Sequence, residues 1–365
     1  MPLTFLPSSP EYGDAIADFN RRLREKNAPT AFLLSEDLMR DEETASTIRR
    51  QQFLAMDSGA VRGGVIELDQ PGRLNGASIR ALNYQSPLSE GIVDSKYASV
   101  GLQIVRFMQN RSPAAYIVGM GSTSNPLPRL LKAAGWNLVD MPFLFRVHKA
   151  GAFLRELQPL RASSPKRLAA DLARWTGLGA VALAMKQRSR IKTRATVRIQ
   201  KGWGDWADEL WSRAWEGCSF AVDRDRKSLE WMYPPSDPRT HIFLIERGSD
   251  PVGWGVCFDT QMKNSRYFGN MRVGSILDCV ALPGSEAETA ALVDRQLGLR
   301  GCDLALVNHS HSQWVNAFKL AGFSRGPSNY LLGMSKRLAE AVRSSPGGED
   351  RMHITRGDGD GRVNL

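Results

Sequence analysis

The chain has 365 residues, 42% of them apolar and 24% charged, with a formal net charge of +10. That length suits two or three domains, and the composition excludes a disordered or fibrous chain. The positive balance points to an anionic partner: cofactor phosphates, a nucleic acid or a membrane surface.

The N-terminal MPLTFLPSSP lacks the basic start and long apolar core of a signal peptide, so a cytoplasmic protein is expected. After an extended start, Asp14 to Arg24 carries Ile16, Phe19 and Leu23 at helical spacing, 31–39 is short and apolar, and 42–50 returns to helix. A hairpin spans 52–68 around Asp57-Ser58-Gly59; Gln70-Pro71-Gly72-Arg73 reads as a turn before a strand at 77–84. The loop from Ser86 to Gly101 leads into a helix at 102–110, whose apolar face is Ile104, Val105 and Met108. An apolar run from Ala114, a helix ending in Gly135-Trp136 and the strand MPFLFRV close the first half. A glycine just past the last helical residue is a C-cap signal, because glycine enters the left-handed region without a Cβ clash.

Periodicity is lost between 151 and 201. Residues 168–185 are mostly apolar and read as a helix, but Asp171 and Arg174 leave no run long enough to span a bilayer. No acidic residue occurs between Leu172 and Gly204, while Lys186, Arg188, Arg190, Lys192, Arg194, Arg198 and Lys201 follow in quick succession. Two readings stand for 168–201: a peripheral membrane contact through an apolar helix and its basic successor, or an inter-domain connector.

The second half opens on a helix with the aromatic stripe Trp206, Trp211 and Trp215, a core pattern. Arg224 to Tyr233 follows, then a hairpin at 241–259, a strand at 275–282 and a helix at 287–299. The stretch CDLALVNHS, a helix ending in Gly322-Phe323 and the run SNYLLGM complete it. A Pro/Gly/Ser break at 344–348 frees a tail, for which two readings stand: a free terminus, or a docking hairpin at 351–365 carried by the alternation of Met352, Ile354, Val363 and Leu365. Cys218, Cys257, Cys279 and Cys302 lack C-x-x-C spacing and read as free thiols, with no metal site.

The halves repeat one another. Leu131-Lys-Ala-Ala-Gly-Trp136 matches Phe318-Lys-Leu-Ala-Gly-Phe323, Phe143-Leu144 falls against Tyr330-Leu331, and the hairpin about Asp57 parallels the one at 243–256. The chain reads as a duplicated domain, with boundaries at 1–150, 151–201 (connector), 202–340 and 341–365 (tail). The element order and the Gly-aromatic helix ending resemble the GNAT superfamily of N-acyltransferases over about 1–150 and 200–335. The resemblance implies an α/β fold of two tandem modules, each a mixed, mostly antiparallel sheet flanked by helices. It also implies transfer of an acyl group from acetyl-CoA or another acyl-CoA to an amine.

In that superfamily a glycine-bearing loop at a helix start holds the CoA pyrophosphate on free N–H groups. Here the resemblance assigns cofactor binding to Lys96, Ser99, Val100 and Gly101, while the second copy of the loop carries Glu286 and Glu288, which oppose an anion. The usual tyrosine acid is replaced by Leu131 in one half and Phe318 in the other. Asp278, a carboxylate in a core strand, is a catalytic candidate because a buried charge must be paired or face a cleft. His311, after the second core strand, is a candidate base, and Glu90 and Asp94 are alternatives. Arg224 to Tyr233 resembles a segment of GNAT proteins tied to surface polysaccharide, in which a Trp-x-Tyr packs beneath the acceptor site.

Three functions fit. The first is an N-acyltransferase acting on a small-molecule or glycan acceptor, an amino sugar of surface polysaccharide. The second uses aminoacyl-tRNA as donor, the one reading with a nucleic-acid partner. The third is a non-catalytic glycan- or partner-binding protein.

Overall fold

The computed structural model describes residues 3–28, 48–161 and 178–359. The apolar stretch 31–39, most of the helix read at 42–50, the run 168–177 and the chain end at 360–365 lie outside these residues. Strands of the first half are β1 (Thr4–Pro7), β2 (Arg49–Asp57), β3 (Ala60–Leu74), β4 (Ala77–Ser89), β5 (Ala115–Val118), β6 (Asn137–Asp140) and β7 (Phe143–Val147). Those of the second are β8 (Thr196–Gln200), β9 (Phe220–Val222), β10 (Thr240–Arg247), β11 (Asp250–Gln261), β12 (Arg272–Ala281), β13 (Leu304–Asn308), β14 (Ser324–Gly326) and β15 (Leu331–Met334). The chain forms two compact units: residues 1–140, 219–223 and 329–348 make the first, and 141–218, 224–328 and 349–365 the second.

The first unit carries a sheet in the order β1-β2-β3-β4-β5-β15-β6, with β9 also on β3; the second has the order β14-β7-β13-β12-β11-β10-β8. Both are mostly antiparallel, each with one parallel pair (β4–β5 and β12–β13) and flanking helices. This is the expected fold class. The units cross the boundaries 1–150 and 202–340, however, because the last strands are exchanged. β7 pairs with β13 and β14, while β15 lies between β5 and β6. Leu144 of β7 is wholly buried in the second unit's core, and Leu332 of β15 is wholly buried in the first unit.

Local chemistry explains most turns. Ser58 (φ 51°) with Gly59 (φ 82°), and Asn75 (φ 52°) with Gly76 (φ 81°), supply the paired positive φ values of tight hairpins. The second turn corrects the reading of Gln70–Arg73 as a turn: β3 runs straight through it. Pro71 is tolerated because β2 leaves β3 at Asp69 and β9 joins at Gly72, so no N–H is needed between them. Among the described residues no helix is long and apolar enough to cross a membrane. Of the tail, Met352–His353 is a short strand and Arg356–Asp358 a single helical turn. Residues 352–355 are buried, so this part packs as a piece of the second unit, and among the described residues of the tail no hairpin shows.

Candidate active site

Both parallel pairs open at the same structural step. In the second unit the β12–β13 ladder ends at Ile276↔Val307, and β12 then carries a bulge, since Val256 faces Asp278 while Cys257 faces Ile276. In the first unit the β4–β5 ladder ends at Tyr84↔Ile117, and the β4 bulge follows at once, where Gly64 faces Leu88 but Ile66 faces Gln85. A bulge bends its strand and re-aims the next side chain. Each sheet therefore parts beyond the carboxyl end of a parallel strand, the place where α/β sheets receive ligands.

In the second unit the bulge presents Asp278, which is fully buried. Its Oδ2 accepts from Arg224 Nε at 2.7 Å and from the Tyr233 hydroxyl at 3.2 Å, and its Oδ1 lies 3.3 Å from His353 Nε2. Arg224, equally buried, also donates to Asp358 Oδ2 at 2.6 Å. Burial opposes ionisation of both carboxylates. For Asp278 burial is the largest single influence, but the charge of Arg224 and the hydrogen bonds from His353 and Arg224 together outweigh it and hold the group below the usual carboxylate range. For Asp358 burial wins over Arg224, and the charge of Asp278 adds to it, so this carboxyl is pushed up. An ionised Asp278 is an acceptor only, so the His353 proton sits on Nε2.

Two further histidines adjoin. His309 is buried, stacked on Trp314 at 5.6 Å and edge-on to His353 at 4.8 Å. Its Nδ1 accepts from the His311 amide at 3.1 Å, and burial lowers its pKa well below the ordinary value. His311 caps the helix Ser312–Leu320 by accepting the Gln313 N–H at 3.2 Å; burial, then the nearby His353 and Arg351, lowers it to about 4. His311, His353, Trp211, Trp314 and Glu286 line a cavity of about 150 Å³. Burial raises the pKa of Glu286 there.

Sequence explains how these groups arrive. Asp225 caps the helix Arg226–Met232 through the Ser228 N–H (2.7 Å), so the chain turns just past Arg224 and returns Tyr233 one short helix later. The tail contributes His353, and a capping box between Thr355 and Asp358 fixes the carboxylate that shares Arg224. His353, Arg224 and Asp358 were not among the sequence candidates. The alternation of Met352 and Ile354 signals burial of the tail, which is the one hint of His353.

In the first unit the mouth of β4–β5 is followed by the helix Ala98–Arg111, which starts four residues before the expected 102. Ser99, Val100 and Gly101 thus form its first turn and not a loop. Val100 faces the core, and a Cβ on Gly101 would stand 3.1 Å from Leu130, so that glycine serves helix contact. Lys96 and Ser99 are exposed. The helix has no side-chain cap and no acid in its first turn, which leaves an anion-favouring end. It is anchored at its far end, where Arg111 grips Glu67 at 2.8 and 2.9 Å and the Tyr84 hydroxyl donates to Glu67 at 3.0 Å. The corresponding helix of the second unit, Glu286–Leu299, is different. Glu286 Oε2 accepts the Gly284 N–H at 2.9 Å and Glu288 accepts from Thr193 at 2.6 Å, so carboxylates occupy that end.

The structure thus brings Asp278 and His311 to one cluster of the second unit. Glu90 lies in the first unit, buried against Arg22 and Arg62, each at 2.9 Å, a double ion pair apart from that cluster. Asp94 likewise caps the turn before Lys96 and pairs with Lys26 at 2.9 Å, which lowers its pKa. Leu131 and Phe318 are wholly buried core residues.

No family model matches this chain, and no curated protein matches it in sequence. Solved structures match it in fold. A GCN5-related N-acetyltransferase from Anabaena variabilis matches at 8% identity over 94% of this chain and 75% of its own, with a TM-score of 0.55. A probable N-acyltransferase from Enterococcus faecalis matches at 10% identity over 95% and 76%, TM-score 0.53. N-myristoyltransferase from Saccharomyces cerevisiae, solved with myristoyl-CoA and inhibitors, matches at 9% identity over 92% and 81%, TM-score 0.52. The fold of this chain is that of GNAT N-acyltransferases, as the repeats and helix endings indicated.

Proposed function

We infer that a chain of this fold transfers an acyl group from acyl-CoA to an amine, the first unit binding the donor and the second handling the acceptor. The observation that carries the reading is the opened β4–β5 mouth followed by an uncapped, acid-free helix start with Lys96 and Ser99 exposed. The helix dipole and the exposed Lys96 charge suit a pyrophosphate there. The second unit supports the complementary role, since Glu286 stands at the equivalent helix start and lines the cavity beside His311 and His353, where a carboxyl group disfavours an anion. In the proposed reaction the amine nitrogen bonds to the thioester carbonyl carbon and the carbon–sulfur bond breaks. His353, oriented by Asp278, takes the proton lost from nitrogen. The departing thiolate, whose conjugate acid has a pKa of about 8–9, leaves far more readily than an alkoxide and takes up a proton afterwards, which makes the absence of a tyrosine at the Leu131 and Phe318 positions tolerable.

The acceptor in this proposal is an amino sugar of a surface polysaccharide, met in the cytoplasm. Its support is the Arg224–Tyr233 segment, whose Tyr233 hydroxyl reaches Asp278 at 3.2 Å. A thermal-shift series with acetyl-CoA, longer acyl-CoAs and tRNA tests the donor, because a ligand that binds only the native state raises its melting temperature. Stabilisation by an acyl-CoA supports the reading. Stabilisation by tRNA alone replaces the donor with aminoacyl-tRNA, and no shift with any of them favours a non-catalytic binding protein.

A further inference from the structure

The helix Leu178–Lys186 and the segment after it, both in the second unit, form a surface that no step of the proposed reaction uses. From 187 to 195 exposure alternates. Gln187 and Ala195 are buried and Ser189, Ile191 and Thr193 half-buried, while Arg188, Arg190, Lys192 and Arg194 are all exposed. The inward positions fasten the segment. Gln187 accepts from the Val147 N–H at 2.7 Å and donates to the Phe145 carbonyl at 3.1 Å and to Ser324 at 3.2 Å. Gly322 lies so close that a Cβ there would stand 2.3 Å from the Gln187 carbonyl oxygen. The Arg190 amide bonds the Leu320 carbonyl at 3.0 Å, and the Thr193 hydroxyl donates to Glu288 at 2.6 Å. None of these contacts needs a cationic side chain.

The four cations form no ion pair among the described residues, whereas Arg198, just beyond, is paired with Glu246 at 2.7 Å. A row of like charges repels itself and is a cost to the isolated fold. Immediately before it, Val181 and Met185 are 57% and 76% exposed, one helical turn apart and so on one face. Large exposed apolar side chains beside unpaired cations fit a surface that is anionic outside and hydrocarbon within.

We propose that Val181 and Met185 with Arg188, Arg190, Lys192 and Arg194 form a docking face for an anionic lipid bilayer. The apolar pair inserts at the headgroup boundary, and the cations meet lipid phosphates. A polynucleotide would use the cations but would gain nothing from two exposed apolar side chains.

The test is sedimentation of the full chain with vesicles of phosphatidylcholine alone and with about a third phosphatidylglycerol. Binding is expected only to the anionic vesicles and weaker at high salt. Arg188, Arg190, Lys192 and Arg194 replaced together by Gln should lower partitioning at least about tenfold. Val181→Gln with Met185→Gln should lower it severalfold, with acyl-CoA affinity unchanged in both variants. Soluble glycerophosphate at equal phosphate concentration should not release the protein, which separates a lipid surface from a free-phosphate site. Wild-type chain that ignores anionic vesicles, binds them equally after loss of the four cations, or is released by glycerophosphate overturns the proposal. So does binding to tRNA that survives the Val181 and Met185 changes while vesicle binding is absent.

Discussion

Asp278 and His353 stand 75 positions apart in the chain, yet Asp278 Oδ1 lies 3.3 Å from His353 Nε2. The carboxylate is held ionised by Arg224, and the imidazole comes from a tail beyond both repeats. A carboxylate so placed fixes the tautomer and stabilises the imidazolium that forms when the ring takes a proton.

His353→Gln should lower the acyl-transfer rate about a hundredfold or more, the ordinary contribution of a general base. Acyl-CoA affinity should stay at the wild-type level, since the donor is assigned to the first unit. Steady-state rates over pH 6–9, with calorimetry of donor binding, check this. A variant that loses donor binding and rate together would instead mark His353 as structural.

Arg224→Met should be strongly destabilising. It removes a cation that Asp278 and Asp358 share and leaves two like groups in a desolvated site, a change worth about 3–5 kcal/mol. Adding Asp278→Asn should recover part of that loss, because one buried negative charge disappears. Urea denaturation of the two variants decides it. Equal stability of Arg224→Met and wild type would show that the ion pairs contribute little.

Stability should fall as pH drops from about 6.5 towards 4. His311 titrates near 4 in the folded chain and His309 lies well below its ordinary value, so the unfolded chain binds more protons in this window. Their contribution is complete above 6.5 and is lost as pH approaches the folded values. For His311 alone it is about 3 kcal/mol, at about 1.4 kcal/mol per pH unit. Asp358 works in the opposite direction, since its raised pKa favours the folded chain as it protonates. Asp278, held low, adds its loss only below the carboxylate range. Melting temperatures of wild type and His311→Gln between pH 8 and 4 should show the wild type falling relative to the variant as pH drops, and parallel curves would contradict this.

The features legible in the sequence were those carried by near neighbours. Helical spacing located Ile16, Phe19 and Leu23, which are all buried, and Gly135 and Gly322 end their helices at φ 85° and 101°. Strand exchange was not legible, because β7 and β15 are four- or five-residue apolar runs with nothing local to choose a partner. The buried Asp278 was recognisable as a charge needing a partner, yet the partners lie 54 and 75 positions away and could not be named. The first turn of the helix Ala98–Arg111 is not legible as helix because its glycine and serine weaken helix propensity; contact with Leu130 and the core burial of Val100 override that weakness.

Gly63→Ala probes the bulged strand of the first unit. A Cβ there would stand 2.4 Å from the Leu88 carbonyl oxygen and 3.0 Å from Ile104, opposite the bulge that opens β4 from β5. Forcing β3 and β4 apart should cost about 1–3 kcal/mol and weaken acyl-CoA binding if the mouth holds the donor. Denaturation together with donor titration reads both, and wild-type stability would show that β4 moves freely at this point.

The central claim is that the start of the helix Ala98–Arg111 receives the phosphates of an acyl-CoA. Calorimetric titration of acetyl-CoA and a long-chain acyl-CoA into wild type, Lys96→Glu and Glu286→Ala tests it most directly. The account predicts that Lys96→Glu weakens binding by about 1.5–3 kcal/mol, the loss of a charge-assisted contact, while Glu286→Ala leaves it unchanged. Equal affinities for wild type and Lys96→Glu, or a loss confined to Glu286→Ala, would contradict it.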